Sequence, residues 1–121
     1  MNKNLAKRQL NEYWTYRSDG FVDGWRFSSP GDCEDYALLI LKHYYGTEAK
    51  AKDALKSGEA SIWYVITDSG DGHAVLELDD QFIDNRFKKW MDSMDDMKLR
   101  KVKWKYPWWF IATRLALGKL L

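Results

Sequence analysis

Long apolar runs are missing from this 121-residue chain, and with them any helix of the usual membrane-spanning kind, which needs about eighteen consecutive apolar residues or more. Cysteine is nearly absent too. The single Cys33 cannot close an internal disulfide, so no disulfide framework holds the fold and nothing argues for secretion. An excess of one charge is also lacking: 19 Lys and Arg against 18 Asp and Glu leave +1, so no global field recruits nucleic acid or repels it. The first segment, MNKNLAKRQLNEYW, is basic but has no apolar stretch of a signal peptide, which makes the cytoplasm the expected location. No repeat, low-complexity tract or linker interrupts the chain. The length suits one domain, 1–121, around one core.

What is present is the composition of a globular protein, 45% hydrophobic and 31% charged. Seven Trp and seven Tyr are many for this length and serve cores and substrate grooves equally well. Residues 3–17 can form a helix carrying Leu5, Leu10 and Tyr13. Residues 18–31 read as a Gly/Ser/Asp-rich loop anchored by Trp25 and Phe27. Ser28 to Asp32 offer a cap, and Cys33–Tyr45 runs to Gly46 as a helix apolar nearly all round, hence buried. Residues 48–57 make a second, charged helix. Period-two patterns then predict antiparallel strands at 61–67, 73–78 and 81–86, with turns at 68–72 and at Asp79-Asp80. Residues 87–97 fit no single period. Alternation over 98–106 predicts a half-buried strand with Val102, Trp104 and Tyr106 inward and Lys101, Lys103 and Lys105 in solvent. After Pro107 an apolar helix is expected over 107–121. The class is α+β.

Three residues in this layout belong together. Cys33 opens a buried helix, where unsatisfied N–H groups and the helix dipole favour a thiolate and can receive an oxyanion. His73 starts a strand, and Asp84 lies on the next one. A two-residue turn at Asp79-Asp80 pairs Leu78 with Gln81, His73 with Arg86 and Val75 with Asp84. His73 and Asp84 then share one face as diagonal neighbours, while Ala74, Leu76, Leu78 and Ile83 form the core face. An imidazole can take a thiol proton, and a carboxylate on its far nitrogen fixes the tautomer and supports the cation. The expected product is a Cys33–His73–Asp84 triad. Glu34 and Asp35 beside the sulfur oppose thiolate formation by like charge, so activation is expected to depend on His73.

At these residues the chain resembles the bacterial transglutaminase-like cysteine proteinases. The resemblance rests on Gly31-Asp32-Cys33-Glu34-Asp35-Tyr36-Ala37, on Gly72-His73-Ala74-Val75-Leu76, and on Ile83-Asp84-Asn85. It spans roughly half the chain, from Trp25 to about Arg86, and its first block is the specific one. It implies a papain-like fold with a cysteine-bearing helix on an antiparallel sheet. It also implies Cys33 as nucleophile, His73 as general base and acid, and Asp84 as the orienting carboxylate, acting on a protein or peptide substrate. A compact member without an export segment implies a phage-encoded protein.

Other assignments follow from the residues. Asp32, Glu34 and Asp35 are candidates for calcium, which the resemblance suggests; helix capping is the plainer reading, since a hard cation wants six or so oxygens. No other cofactor is expected, and a zinc site at Cys33 and His73 lacks further ligands. His43, beside Tyr44 and Tyr45, reads as structural, and Trp25 and Tyr36 as packing residues that border the cleft at most. Neither Gln9 nor Asn11 stands out as a side-chain oxyanion donor. The basic strand reads as a solvated face with no nucleic-acid role. The 107–121 helix is expected to dock on the sheet or a partner rather than lie on a membrane surface. Two rivals to a peptidase remain: a catalytically silent binding or virion-associated protein on the same fold, and a transglutaminase, deamidase or wall amidase.

Overall fold

The structure, a computed structural model, describes residues 2–17 and 24–120. The stretch 18–23 of the expected loop, and position 121 of the expected last helix, lie outside the described residues. Among the described residues the chain is α+β, with four α-helices and one antiparallel four-stranded sheet.

Helix α1 covers Lys3–Asn11, capped by the Asn2 side chain on the Leu5 amide. It stops well short of the expected residue 17, because Trp14 turns into the core and the chain then extends, with Tyr16 bridging to Gly31. Helix α2, Cys33–Tyr45, has the predicted bounds and ends on Gly46 at φ 93°, the left-handed conformation a C-cap favours. Its residues from Asp35 to Leu41 are all buried, as an all-round apolar pattern requires. Helix α3, Glu48–Ser57, also matches its expected range and tucks Ala51, Ala54 and Leu55 inward.

The sheet runs β3-β2-β1-β4, with β1 at Ala60–Thr67, β2 at Gly72–Leu78, β3 at Gln81–Ile83 and β4 at Leu99–Lys105. Ala74, Leu76 and Leu78 of β2 pack towards α2 in the main core, while Val75 joins Val65, Met91 and Met97 in a smaller cluster on the other face. Residues 87–97, which no period fitted, form a loop with a short 3-10 turn at Met94–Met97 that covers this second face.

Two expectations about strands fail. Strand β3 ends at Ile83 instead of reaching Arg86, because the Asp84 carboxylate accepts the backbone N–H groups of Arg86 and Phe87, and this local turn displaces the ladder. On β4 the alternation is broken twice. Register shifts against β1 leave Lys103 and Arg100 unpaired, so Trp104 sits opposite Tyr64 but Val102 sits opposite Val65. Each bulge reverses the face, which puts Val102 and Trp104 on opposite sides. Both are exposed, at 39% and 51%, so β4 is an open edge rather than a half-buried strand.

Helix α4, Trp108–Leu120, docks through Ile111, Leu115 and Gly118. A Cβ on Gly118 would lie 2.1 Å from the Trp25 carbonyl oxygen, so only glycine lets the helix approach the 24–26 segment this closely. Trp25 in turn is buried edge-on between Tyr106 and Phe110. Among the described residues no helix is long and apolar enough to cross a membrane.

Candidate active site

Asp32, Cys33 and Asp35 are arranged by the start of α2. Asp32 is the N-cap: its side chain accepts the Asp35 amide, and the Asp35 side chain accepts the Asp32 amide, a reciprocal capping box. The other Asp35 oxygen accepts the Arg26 N–H at 2.7 Å, which ties the preceding loop to the helix. Gly31 is part of the same device, since a Cβ there would meet the Asp35 carboxylate at 2.6 Å. The conspicuous Gly-Asp-Cys-Glu-Asp run is therefore largely a cap that fixes where Cys33 stands.

His73 and Asp84 are brought together by the turn. Leu78 pairs with Gln81 and Leu76 with Ile83, and Asp79 and Asp80 both have positive φ, at 52° and 60°, as a two-residue hairpin of this twist demands. His73 Nε2 lies 2.8 Å from Asp84 Oδ2, with the histidine 8% and the aspartate 1% exposed, so the pair is shielded from water. Arg86 Nε donates to the same Asp84 oxygen at 2.8 Å, and its Nη2 to the Met97 carbonyl. Burial works to raise the Asp84 pKa, but the bonds from His73, the Phe87 amide and Arg86 outweigh it and hold the carboxyl below its ordinary value. Asp84 is thus an anion whose lone pairs are directed at the ring, and the tautomer follows: with Nε2 occupied, Nδ1 is the nitrogen left to meet a substrate or a thiol. Arg86 escaped the sequence reading, which placed it only as a ladder partner of His73; the Asp-x-Arg spacing at a strand end was its one signal.

Cys33 is half-buried and unbridged. The backbone N–H of Ala74, the residue after His73, favours the sulfur's anion, and α2 packs against β2. The thiol donates to Glu34 Oε2 at 3.2 Å, and among the described residues no hydrogen bond joins the sulfur to the imidazole. Burial, then the charges of Glu34 and Asp32, push the thiol pKa well up, with only the Ala74 amide pulling it down. The like-charge effect expected of Asp35 falls instead to Asp32, because Asp35 is turned into the cap.

A cleft of about 740 Å³ opens beside His73, walled by Asp68, Ser69 and Asp71 of the β1–β2 turn and by Asn85, Arg86 and Tyr16. Cys33 is not in its wall. The side-chain oxygen of Asn85 is buried there without a hydrogen-bond partner among the described residues. On the α2 side of the sheet, Tyr64 stacks on exposed Trp104 with centroids 4.9 Å apart. Its hydroxyl reaches Gly72, where a Cβ would come within 2.6 Å.

The remaining candidates are accounted for. Asn11 accepts the Tyr36 hydroxyl and donates to the Lys88 carbonyl, and Gln9 bonds His43 Nδ1, so both amides tie helices together. His43 also bonds the Tyr13 hydroxyl, in the structural setting expected of it. Tyr36 is fully buried. Among the described residues no cluster of three or more His, Cys, Asp or Glu is placed to hold a metal. Of the three calcium candidates, Asp35 has a cap amide and a loop amide on its two oxygens.

Comparison of the chain with protein-family models, with curated proteins and with solved structures finds no match.

Proposed function

We propose that this protein is a cysteine hydrolase of the papain-like, transglutaminase-like kind, acting on amide bonds and most readily on peptides, with Cys33 as nucleophile, His73 as base and acid, and Asp84 as orienting carboxylate. The observation that carries the reading is the buried 2.8 Å bond from His73 Nε2 to Asp84, on a strand that packs against the cysteine-bearing helix α2. A histidine with one nitrogen fixed by a buried carboxylate, and a thiol at a helix start, are the groups nucleophilic acyl transfer needs.

In this mechanism the Cys33 proton passes to His73 Nδ1 as sulfur attacks the substrate carbonyl. The carbonyl electron pair moves to oxygen, where the Cys33 backbone N–H at the first turn of α2 supplies a hydrogen bond. Collapse of that intermediate breaks the C–N bond, and the imidazolium returns the proton to the departing amine. Water, deprotonated by His73, then cleaves the thioester. An amine in place of water would give transfer, so the same groups also serve transglutamination.

A second reading, a silent binding protein on this fold, draws support from the thiol's bond to Glu34 rather than to the ring. Incubation with a peptide library prepared from a cell lysate separates the two. The hydrolase reading expects new termini from the wild type and none from Cys33→Ala. Equal patterns from both proteins, or no new termini from the wild type, would overturn it.

A further inference from the structure

Cys33 and Glu34 are consecutive residues of α2, and side chains at adjacent helix positions do not face each other. Their contact is therefore no by-product of the helix. Glu34 Oε2 lies 3.2 Å from the sulfur. The direction of the bond matters as well. A carboxylate titrates near about 4 and a thiol near about 8.5, so the shared proton stays on sulfur and the contact makes no nucleophile. It occupies the S–H donor.

The surroundings act in the same sense. Asp32, at the cap of α2, adds negative charge beside the sulfur, and from β2 the Ala74 amide is the donor that opposes it. The His73 ring, also on β2, is held to Asp84 through Nε2. The helix start thus holds a nucleophile that is placed but not engaged.

We propose that Glu34 is a positioning residue that latches the Cys33 thiol in a resting orientation, and that substrate entering the site turns Glu34 off the sulfur so that the thiol reaches His73. The second half rests on the hydrolase reading above, whereas the latch depends only on the two side chains. No proton changes hands at Glu34. On release the S–H proton moves to His73 Nδ1, leaving a thiolate and an imidazolium, and Glu34 remains a carboxylate throughout.

A merely structural role for Glu34, as a carboxylate complementing the helix dipole, would alter stability and leave sulfur reactivity alone. The test is the second-order rate of iodoacetamide alkylation, followed by intact mass from about pH 6 to about pH 11, a range that takes in imidazole titration and a thiol pushed well above its ordinary value. Wild type, Glu34→Gln, Glu34→Ala and the double variant Glu34→Gln/His73→Ala are compared, with Cys33→Ala as the blank. Removing the latch charge is expected to move the midpoint down by about one unit and raise the neutral-pH rate about tenfold in both single variants. Rates equal to wild type across the range in both would overturn the latch. If the gain is lost in the double variant, His73 is the acceptor of the released proton and both readings stand. If the gain survives without His73, the latch stands and the triad fails.

Discussion

His73 and Asp84 are 11 positions apart in sequence, yet their side chains meet at 2.8 Å because Asp79 and Asp80 close the hairpin between them in two residues. Parity is the reason. An extra residue in that turn would send Asp84 to the opposite face of the ribbon and leave the ring facing no carboxylate.

The turn itself can be strengthened. Asp79 and Asp80 both adopt positive φ, which glycine and asparagine tolerate better. Replacing the pair by Asn-Gly is expected to raise the urea midpoint by relieving the positive-φ strain. One glycine inserted between them should instead uncouple His73 from Asp84, seen as a changed tautomer in the imidazole ¹⁵N spectrum.

Acid stability should report on Asp84. Its carboxyl is held below the ordinary value, so the native state binds that proton more weakly than the unfolded chain does. The resulting stabilisation is present in full above about pH 4 and is lost as pH falls through the folded value. Asp84→Asn is expected to flatten the plot of unfolding free energy against pH in that acid window, relative to wild type. Parallel curves would show that the four bonds on the carboxylate do not favour its anion.

Alkaline stability should report on Cys33 with the same sign of argument reversed. Its thiol is pushed up in the fold, so above about pH 8.5 the unfolded chain sheds a proton that the native state keeps, and stability falls as pH rises. In Cys33→Ala this alkaline loss should shrink; an unchanged slope would contradict the buried, acid-flanked setting of the sulfur.

Packing makes a contrast between two tryptophans. Trp25 is 1% exposed and Trp104 is 51% exposed. Trp25→Ala is expected to cost about 3–5 kcal/mol as a core truncation. Trp104→Ala should cost well under half of that in the same denaturant titration. Gly118→Ala, which drives a methyl into the Trp25 carbonyl, should cost about 1–3 kcal/mol by overpacking.

The elements that local chemistry dictates were legible in the sequence. Helix α2 was set by its cap and Gly46, α3 by its composition, and the β2–β3 hairpin by a two-residue turn whose parity also paired His73 with Asp84. What escaped was decided by tertiary competition. Asp84 cut β3 short by capturing two amides, which no propensity foretells. Two bulges in β4 left the alternation of Val102, Trp104 and the lysines intact on paper while reversing its faces in space. At the site, the residue types were readable but the direction of the thiol was not. The thiol donates to the Glu34 carboxylate, while the imidazole is turned to Asp84.

The central claim is that the imidazole held by Asp84 activates the Cys33 sulfur. Acylation by p-nitrophenyl acetate, read as nitrophenol release and as an acetyl adduct on intact mass, tests it without knowledge of the natural substrate. An adduct confined to Cys33 is predicted, absent from Cys33→Ala and formed about 10²-fold more slowly in His73→Ala, the usual scale of general-base assistance. An adduct that persists in Cys33→Ala, or a His73→Ala protein that acylates as fast as wild type, would contradict the account.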